Sequence, residues 1–202
     1  ADGRGGAPLG HSTRTLAFDA QGRLYVSVGS YSNVDADSTR SRIRRFVLPA
    51  SIPSQGMDFS TAGEVFADGL RNEVGMNFDA HGVLWGVENG ADELVRGDLG
   101  GDIHNENPAE ELNRFPEADA GKHYGYPYCW TEFGTALLGG KGLGRGTPWA
   151  WPSFMSDGTH TDDWCRANTV RASVAMQAHS APLGMSFYLR SGNVTAATAA
   201  TN

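Results

Sequence analysis

The stretch TLAFDAQGRLYVSVG at residues 15–29 returns sixty residues later as GMNFDAHGVLWGVEN at residues 75–89. In each copy an apolar segment leads into Asp-Ala-x-Gly, and a second apolar segment follows. Asp and Gly favour tight turns because both tolerate left-handed backbone angles, and the apolar flanks are typical of half-buried strands. The two copies therefore predict two β-hairpins. A third, partial copy begins with LGMSFY at residues 183–188 and turns at Ser191-Gly192.

Hairpins that repeat along a chain are typical of a β-propeller. The alternative is two unrelated hairpins, since Asp-x-x-Gly turns are common. We therefore predict an all-β fold in which residues 1–192 form part of a propeller, with long loops inserted at about 100–180 and an Ala/Thr-rich tail at 193–202. A closed propeller needs at least four blades, whereas this length and repeat spacing predict only about three to four.

The charge balance excludes some classes of partner. The chain has 16 Lys and Arg against 23 Asp and Glu, a net charge of −7, which disfavours a nucleic-acid partner. The one basic cluster, Arg40, Arg42, Arg44 and Arg45, alternates with apolar residues and is interpreted as an exposed strand face. No apolar run is long enough to span a membrane, and no signal peptide is visible.

Cysteine usage indicates the compartment. Cys129 and Cys165 are the only cysteines, and an even count in a Gly-rich acidic chain favours a disulfide and an extracellular, secreted protein. Two buried free thiols are the alternative. The triplet Asn193-Val-Thr is a weak signal for glycosylation at Asn193, which agrees with secretion.

Two groups of residues could carry chemistry. His11 and His179 each precede a copy of the repeat, and a histidine there could act as a general base because its pKa lies near neutrality. An oxygen-rich stretch suits Ca²⁺, although a solvated acidic loop explains it equally well. That stretch comprises ENGADE at residues 88–93, followed by Asp98, Asp102, Glu106, Glu110 and Glu111.

Several motifs, taken in order, resemble the soluble quinoprotein sugar dehydrogenases. The motifs are HSTRTL at 11–16, LYVSVGS at 24–30, GLRN at 69–72, ENGAD at 88–92, GDIHN at 101–105, EELN at 110–113, YGYP at 124–127 and HSAPLG at 179–184. Each is weak alone, but their order covers nearly the whole chain. The chain is most similar to the glucose/sorbosone dehydrogenase-like proteins of the fungal pyranose dehydrogenase branch, which use pyrroloquinoline quinone (PQQ).

The resemblance implies a six-bladed propeller that binds PQQ and Ca²⁺ in a cleft and oxidises a sugar hydroxyl by hydride transfer to PQQ. His11 matches the histidine that takes the hydroxyl proton. Arg71 and Asn72 match the pair that contacts the quinone, and an arginine suits an anionic cofactor. The ligands that the resemblance implies for ions are the carbonyls of Gly90 and Ala91 for the cofactor's Ca²⁺, and Glu88, Glu111 and Tyr124 for a second, structural Ca²⁺.

The chain also departs from this family's pattern. Ser30 stands where the bacterial glucose enzyme has an aspartate near the sugar, so substrate preference does not transfer. The resemblance places further PQQ contacts, a lysine and an arginine, in blades beyond Tyr188, and a first blade ahead of His11. Residues 1–202 alone are therefore expected to be inactive. The sequence does not indicate which electron acceptor the enzyme would use. The alternative is a non-catalytic extracellular propeller module of a larger surface or matrix glycoprotein.

Overall fold

The computed structural model describes residues 10–188, which form twelve short strands and one α-helix. In chain order these are β1 (Leu16–Phe18), β2 (Leu24–Val28), β3 (Arg42–Phe46), β4 (Glu64–Asp68), β5 (Glu73–Phe78), β6 (Leu84–Glu88), β7 (Val95–Arg96), β8 (Gly101–Asp102), β9 (Glu110–Phe115), β10 (Cys129–Thr131), β11 (Pro148–Ala150), α1 (Asp162–Asn168) and β12 (Val174–Met176). No helix among these residues has the length and apolar character that crossing a membrane requires.

Two four-stranded antiparallel sheets carry the fold. The first has the strand order β1-β2-β3-β4, and the second has the order β5-β6-β9-β12. Two small ribbons, β7-β8 and β10-β11, lie outside these sheets. Each sheet therefore begins with one of the hairpins that the repeat predicts and adds two further strands, as a propeller blade does.

Both hairpin turns are built around the aspartate of the repeat, Asp19 in one copy and Asp79 in the other. In each, Oδ1 accepts from the main-chain N–H groups two and four residues later, at 2.8–3.0 Å. Oδ2 accepts from an aromatic side chain six residues later, the hydroxyl of Tyr25 at 3.1 Å and the indole of Trp85 at 2.9 Å. The glycine of each turn has a φ of +75° or +74°, which explains why that position needs glycine.

The inner strands of successive sheets lie side by side. The Thr15 hydroxyl donates to the Val74 carbonyl at 2.7 Å, which joins the start of β1 to β5. A Cβ placed on Gly75 would lie 2.6 Å from the Cα of Gly184, so the third copy of the repeat approaches β5 in turn. Residues 183–188 form no strand, although Phe187 packs edge-on against Trp85 with ring centroids 6.1 Å apart. The turn predicted at Ser191-Gly192 lies outside the described residues.

One apolar core joins the two sheets. Tyr25 of β2 packs against Phe66 of β4 and against Phe78 of β5, with ring centroids 4.9 and 5.3 Å apart. The buried members are Tyr25, Ile43, Phe66, Ala67, Leu70, Leu84, Phe115 and Tyr124. Fully burying one side chain of this size stabilises the fold by about 1.5–3 kcal/mol. The core therefore holds the two sheets, and the loops at their ends, in a defined relation.

A long insertion separates β9 from β12. It contains β10, β11 and α1, and it is closed by a disulfide between Cys129 and Cys165 with Cα atoms 5.8 Å apart. The prediction of a disulfide is confirmed for these residues. Thr161 caps α1, because its hydroxyl accepts from the Trp164 N–H at 3.1 Å.

Only part of the stretch at about 100–180, which the sequence predicts to be long loops, is loop in the structure. Residues 100–180 include β9 and β12, which are the third and fourth strands of the second sheet. Because the insertion lies inside this sheet, the second sheet takes up far more chain than the sixty-residue spacing allows. Residues 10–188 therefore hold two complete four-stranded sheets, compared with the three to four blades expected from length.

The expectation that the basic cluster forms an exposed strand face is wrong. Arg44 and Arg45 of β3 are each 7% exposed. Arg45 pairs with Glu64 and Glu117, both at 2.6 Å, and its guanidinium lies 4.7 Å from the ring of Phe66. These partners come from segments distant in sequence, so charge alternation along β3 could not reveal them.

Candidate functional site

Three loops meet at the same end of the two sheets. They are residues 29–33 after β2, residues 69–72 between β4 and β5, and residues 89–92 after β6. The Ser30 N–H donates to the Arg71 carbonyl at 2.8 Å, and the Asn89 N–H donates to the Asn72 carbonyl at 3.0 Å. Main-chain hydrogen bonds thus place the predicted residues of separate motifs beside one another.

His11 lies against the first of these loops. Its N–H donates to the Ser30 carbonyl at 3.1 Å, and its Nδ1 lies 2.9 Å from the Ser30 hydroxyl. Gly29 permits this approach, because a Cβ there would lie 2.6 Å from the Cβ of His11 and 2.7 Å from Oδ1 of Asn72. Burial lowers the pKa of His11, and the nearby positive charge of Arg71 lowers it further. Both effects favour the neutral imidazole, which is the form that a proton acceptor requires.

Arg71 is a partly buried cation held by neutral acceptors. Its guanidinium donates to the Asn33 carbonyl at 3.1 Å, to Oδ1 of Asn33 at 3.2 Å and to the Gly90 carbonyl at 2.7 Å. Within residues 10–188 no carboxylate lies at ion-pair distance from it, whereas Arg40, Arg45 and Arg96 each have two carboxylate partners. Burial lowers the pKa of Arg71. Such a cation is suited to an anionic ligand.

Asn72 connects the loops to the segment that follows β12. Its Nδ2 donates to Oδ1 of Asn89 at 3.2 Å, and Nδ2 of Asn89 donates to the Pro182 carbonyl at 2.9 Å. Glu110 makes a second connection between these segments, since its Oε2 accepts from the Gly90 N–H at 2.7 Å and its carboxylate also accepts from the main chain of Ala181. The sequence indicated Glu110 only as one member of an acidic stretch. No pattern predicted that its carboxylate accepts from the Gly90 N–H.

All five predicted metal ligands line one small cavity. Its volume is about 30 Å³, and its lining includes Glu88, Gly90, Ala91, Glu111 and Tyr124. That space suits a water-sized or ion-sized occupant. The resemblance divides these residues between two ions, whereas the structure gathers them around one cavity.

Three glutamates lie opposite one another on adjacent strands behind this cavity. Glu73 on β5 pairs with Glu88 on β6, which pairs with Glu111 on β9. Nδ2 of Asn113 donates to Glu88 at 3.1 Å and to Glu111 at 3.2 Å, whereas neither carboxylate oxygen of Glu73 lies at hydrogen-bond distance from a donor of residues 10–188. Burial raises the pKa of all three glutamates, and the charge of Glu111 raises those of Glu73 and Glu88 further.

Sequence reasoning missed Glu73 and Asn113, because only the register between β5, β6 and β9 brings them to the cavity. Among residues 10–188, no set of three or more His, Cys, Asp or Glu side chains is arranged so that it could hold a metal ion. Any cation at the cavity would therefore depend on main-chain carbonyls in addition to Glu88 and Glu111.

Two predicted positions lie apart from this arrangement. The ring of His179 is exposed, and its Nε2 lies 2.7 Å from the His104 carbonyl. The proposed glycosylation site, Asn193, falls outside the described residues.

Comparison with known proteins identifies the family. The family model described as TrAA12-like matches residues 5–198. The chain belongs to the TrAA12-like family. The resemblance found in the sequence is thereby confirmed, and this TrAA12-like chain is similar in sequence to two curated fungal proteins. It is 34% identical over 197 residues to a pyrroloquinoline quinone-dependent pyranose dehydrogenase from Coprinopsis cinerea. It is 36% identical over 198 residues to a pyrroloquinoline quinone-dependent sugar dehydrogenase from Hypocrea jecorina.

Solved structures agree with this assignment. The TrAA12-like chain superposes on the holo form of the pyranose dehydrogenase PQQ domain from C. cinerea with a TM-score of 0.79 and 31% identity, covering 89% of this chain and 46% of that one. For the calcium structure of the Trichoderma reesei family AA12 protein the TM-score is 0.77 and the identity 34%, covering 87% and 46%. The two sheets are therefore part of a propeller of this type.

The TrAA12-like chain spans only part of the length of its relatives. The alignment covers 92% of this chain but 26% of the C. cinerea protein, and 88% of this chain but 43% of the H. jecorina protein. The loops and the cavity described above accordingly correspond to part of each relative.

Proposed function

We propose that this chain supplies part of the cofactor and sugar cleft of a PQQ-dependent dehydrogenase that oxidises a hydroxyl of an aldose or pyranose. The observation that carries the proposal is Arg71, a partly buried guanidinium with no carboxylate partner among residues 10–188, beside the neutral imidazole of His11. The sequence relatives, named as PQQ-dependent sugar dehydrogenases, support the same assignment.

The residues present fit the cofactor. PQQ carries three carboxylates, and a guanidinium binds such groups through charge-assisted hydrogen bonds. Arg71 and Asn72 would hold it, since both lie on the loop between β4 and β5 and face the loop after β6. Gly29 keeps His11 and Asn72 within van der Waals reach of one strand end, which no larger residue could do without displacing them.

The chemistry divides between cofactor and chain. When bound, PQQ supplies the acceptor for a hydride from the sugar carbon. His11 takes the proton of the sugar hydroxyl on its free ring nitrogen, so that the carbon–oxygen bond becomes a carbonyl as hydride leaves. The guanidinium of Arg71 would favour negative charge that develops nearby, and it adds to burial in lowering the pKa of His11.

We place Ca²⁺ at the cavity lined by Glu88, Gly90, Ala91, Glu111 and Tyr124. Carbonyl and carboxylate oxygens are the ligands that Ca²⁺ prefers. Burial raises the pKa of Glu73, Glu88 and Glu111, and a cation at the cavity would favour their ionised forms. A Ca²⁺ ion there would act as a Lewis acid toward an oxygen of the bound cofactor.

We also propose that the protein is secreted. The Cys129–Cys165 disulfide supports this, because structural disulfides persist mainly in oxidising compartments. Glycosylation at Asn193 and attachment to further domains of a larger extracellular assembly are parts of the same proposal.

The test uses the complete protein that contains this chain. PQQ is titrated with excess CaCl₂, and reduction of an artificial electron acceptor by aldoses is followed. Arg71→Met should weaken PQQ binding by about 100-fold, because a buried charge-assisted contact is lost. Arg145→Met is the matched control, since Arg145 stacks on Phe133 in the insertion and should leave binding unchanged.

Two outcomes would count against the proposal. Unchanged PQQ affinity in Arg71→Met would remove this residue from the cofactor site. Failure of the complete protein to bind PQQ or to oxidise any aldose would instead favour the non-catalytic extracellular module. Residues 1–202 alone should show neither tight PQQ binding nor turnover.

A further inference from the structure

The hydroxyl of Ser30 lies between two groups in the cleft. Ser30 is 0% exposed, and its Oγ is 2.9 Å from Nδ1 of His11 and 2.8 Å from the carbonyl oxygen of Ser32. The main-chain N–H of His11 donates to the Ser30 carbonyl, and Ser32 follows Ser30 in the same loop. The hydroxyl is therefore held in one position between a ring nitrogen and a carbonyl.

The hydrogens in this arrangement can be assigned from valence. A serine hydroxyl has one hydrogen to donate, and a carbonyl oxygen can only accept. Ser30 therefore donates to Ser32, and its oxygen accepts from His11. Nδ1 of His11 must then carry a hydrogen, which leaves Nε2 with the lone pair.

The surroundings reinforce this assignment. The Tyr126 hydroxyl lies 3.1 Å from the Asn33 carbonyl and accepts from the Asp35 N–H at 2.6 Å, so the loop that carries the Ser32 carbonyl is fixed from its other side. The Tyr126 hydroxyl also lies 3.4 Å from the Ser32 carbonyl, so that oxygen faces a second hydroxyl and remains an acceptor. The charged group that acts on His11 is Arg71, whose positive charge disfavours a second proton on the ring.

We propose that Ser30 is a positioning residue that holds His11 in the Nδ1–H tautomer, so that Nε2 is the atom that accepts the proton of the sugar hydroxyl. The role of Nε2 rests on the proposed function. The tautomer rests only on the contacts of Ser30.

A hydroxyl in this place differs chemically from a carboxylate. An aspartate at residue 30 would also accept from Nδ1–H and would keep the same tautomer. Its negative charge would, however, favour the imidazolium and raise the pKa of His11. Serine therefore fixes the tautomer while leaving His11 neutral to lower pH.

The tautomer can be observed directly in the complete protein labelled with ¹⁵N-histidine. Long-range ¹H–¹⁵N spectra distinguish the two tautomers, and loss of one signal set in His11→Gln assigns His11. The wild type should show Nδ1–H alone. Ser30→Ala should show a mixture, with kcat reduced by about 10- to 100-fold, as is typical when an orienting partner is lost, and KM little changed.

Two further variants separate positioning from a general structural effect. Ser27→Ala removes another buried serine hydroxyl, one that accepts from the Thr15 N–H and makes no contact with His11, and should leave the tautomer unchanged. Ser30→Asp should restore Nδ1–H and move the acid limb of kcat/KM to higher pH.

The proposal is overturned if wild-type His11 carries its hydrogen on Nε2, or if Ser30→Ala keeps Nδ1–H alone. Nδ1–H in the wild type and a mixture in Ser30→Ala would support the role of Ser30 even if the protein oxidised no sugar. That combination would remove the proposed function and leave the positioning of His11 intact.

Discussion

Two buried glutamates, Glu132 and Glu73, differ in their hydrogen-bond partners. This difference, and not burial alone, decides whether each carboxylate stabilises or destabilises the fold. Glu132 is 0% exposed, and its carboxylate accepts from the Leu143 and Gly144 N–H groups and from the indole of Trp149. Glu73 is 2% exposed, and within the described part of the chain no donor lies at hydrogen-bond distance from either of its oxygens. A satisfied buried carboxylate stabilises its surroundings, whereas an unsatisfied one carries an uncompensated desolvation cost.

Replacing each glutamate by methionine should therefore change stability in opposite directions. In Ca²⁺-free protein Glu73→Met should raise the free energy of unfolding by about 1–2 kcal/mol, since a costly carboxylate is removed at similar volume. Glu132→Met should lower it by about 3 kcal/mol, because three donors lose their acceptor. Urea unfolding in EDTA measures both. Destabilisation by Glu73→Met would show that its carboxylate has a stabilising partner.

At this scale the sequence could predict which residues lie close together but not how they interact. The ordered motifs led to His11, Arg71, Asn72 and Gly90, and the structure places these on adjoining loops. The link from Ser30 to His11 depends on where a single carbonyl points. Motif matching cannot supply that information.

Among the elements, the two repeat hairpins are predicted best, because a short-range pattern determines each. Asp19 and Asp79 make the same set of contacts in sheets of different length. All the groups involved lie within six residues of the aspartate, so the sequence alone contains the whole motif.

The Asp79 turn can be tested by two graded substitutions. Asp79→Ala should lower the free energy of unfolding by about 2 kcal/mol, since two main-chain donors and the Trp85 indole lose their acceptor. Asp79→Asn should cost less, because its amide oxygen can still accept from the main chain. Equal losses in thermal unfolding would argue that the charge of Asp79 matters more than its hydrogen bonds. The control is Asp58→Ala, because Asp58 also accepts a main-chain hydrogen bond but does so in an exposed turn outside the repeat.

The later strands were harder to predict for a physical reason. β9 carries EELNRF and β12 only VAM, so neither shows a clear alternation of apolar and polar residues. β9 is recognisable only through its pairing with β6, where Leu112 faces Val87 and Glu111 faces Glu88. Because two glutamates of β9 occupy buried positions, local hydrophobicity gives the wrong signal there.

At the scale of the whole molecule, one insertion accounts for the number of blades. The chain between β9 and β12 packs its tryptophans against Leu94, Leu99 and Ile103, and it is closed by the Cys129–Cys165 disulfide. Repeat spacing could not reveal how much chain a single blade absorbs, whereas the cysteine count correctly indicated the crosslink.

The disulfide should contribute substantially to overall stability. Its cysteines are 36 residues apart, and closing a loop of that length restricts the unfolded chain by about 4 kcal/mol. The double variant Cys129→Ala/Cys165→Ala should lose about that much free energy of unfolding, measured in urea. Dithiothreitol should destabilise the wild type and leave the double variant unaffected. The prediction is contradicted if the denatured wild type can be alkylated without prior reduction, because the two thiols would then be free.

The aspartate-centred turn also has a use outside this molecule. Its contacts require an aspartate, a glycine three residues later and an aromatic donor six residues later, as at Asp19, Gly22 and Tyr25 and again at Asp79, Gly82 and Trp85. The spacing Asp-x-x-Gly-x-x-Tyr/Trp between apolar segments is thus a search pattern with a stated physical basis. Applied to uncharacterised or incomplete sequences, it would locate the inner hairpin of a blade before any overall similarity becomes detectable.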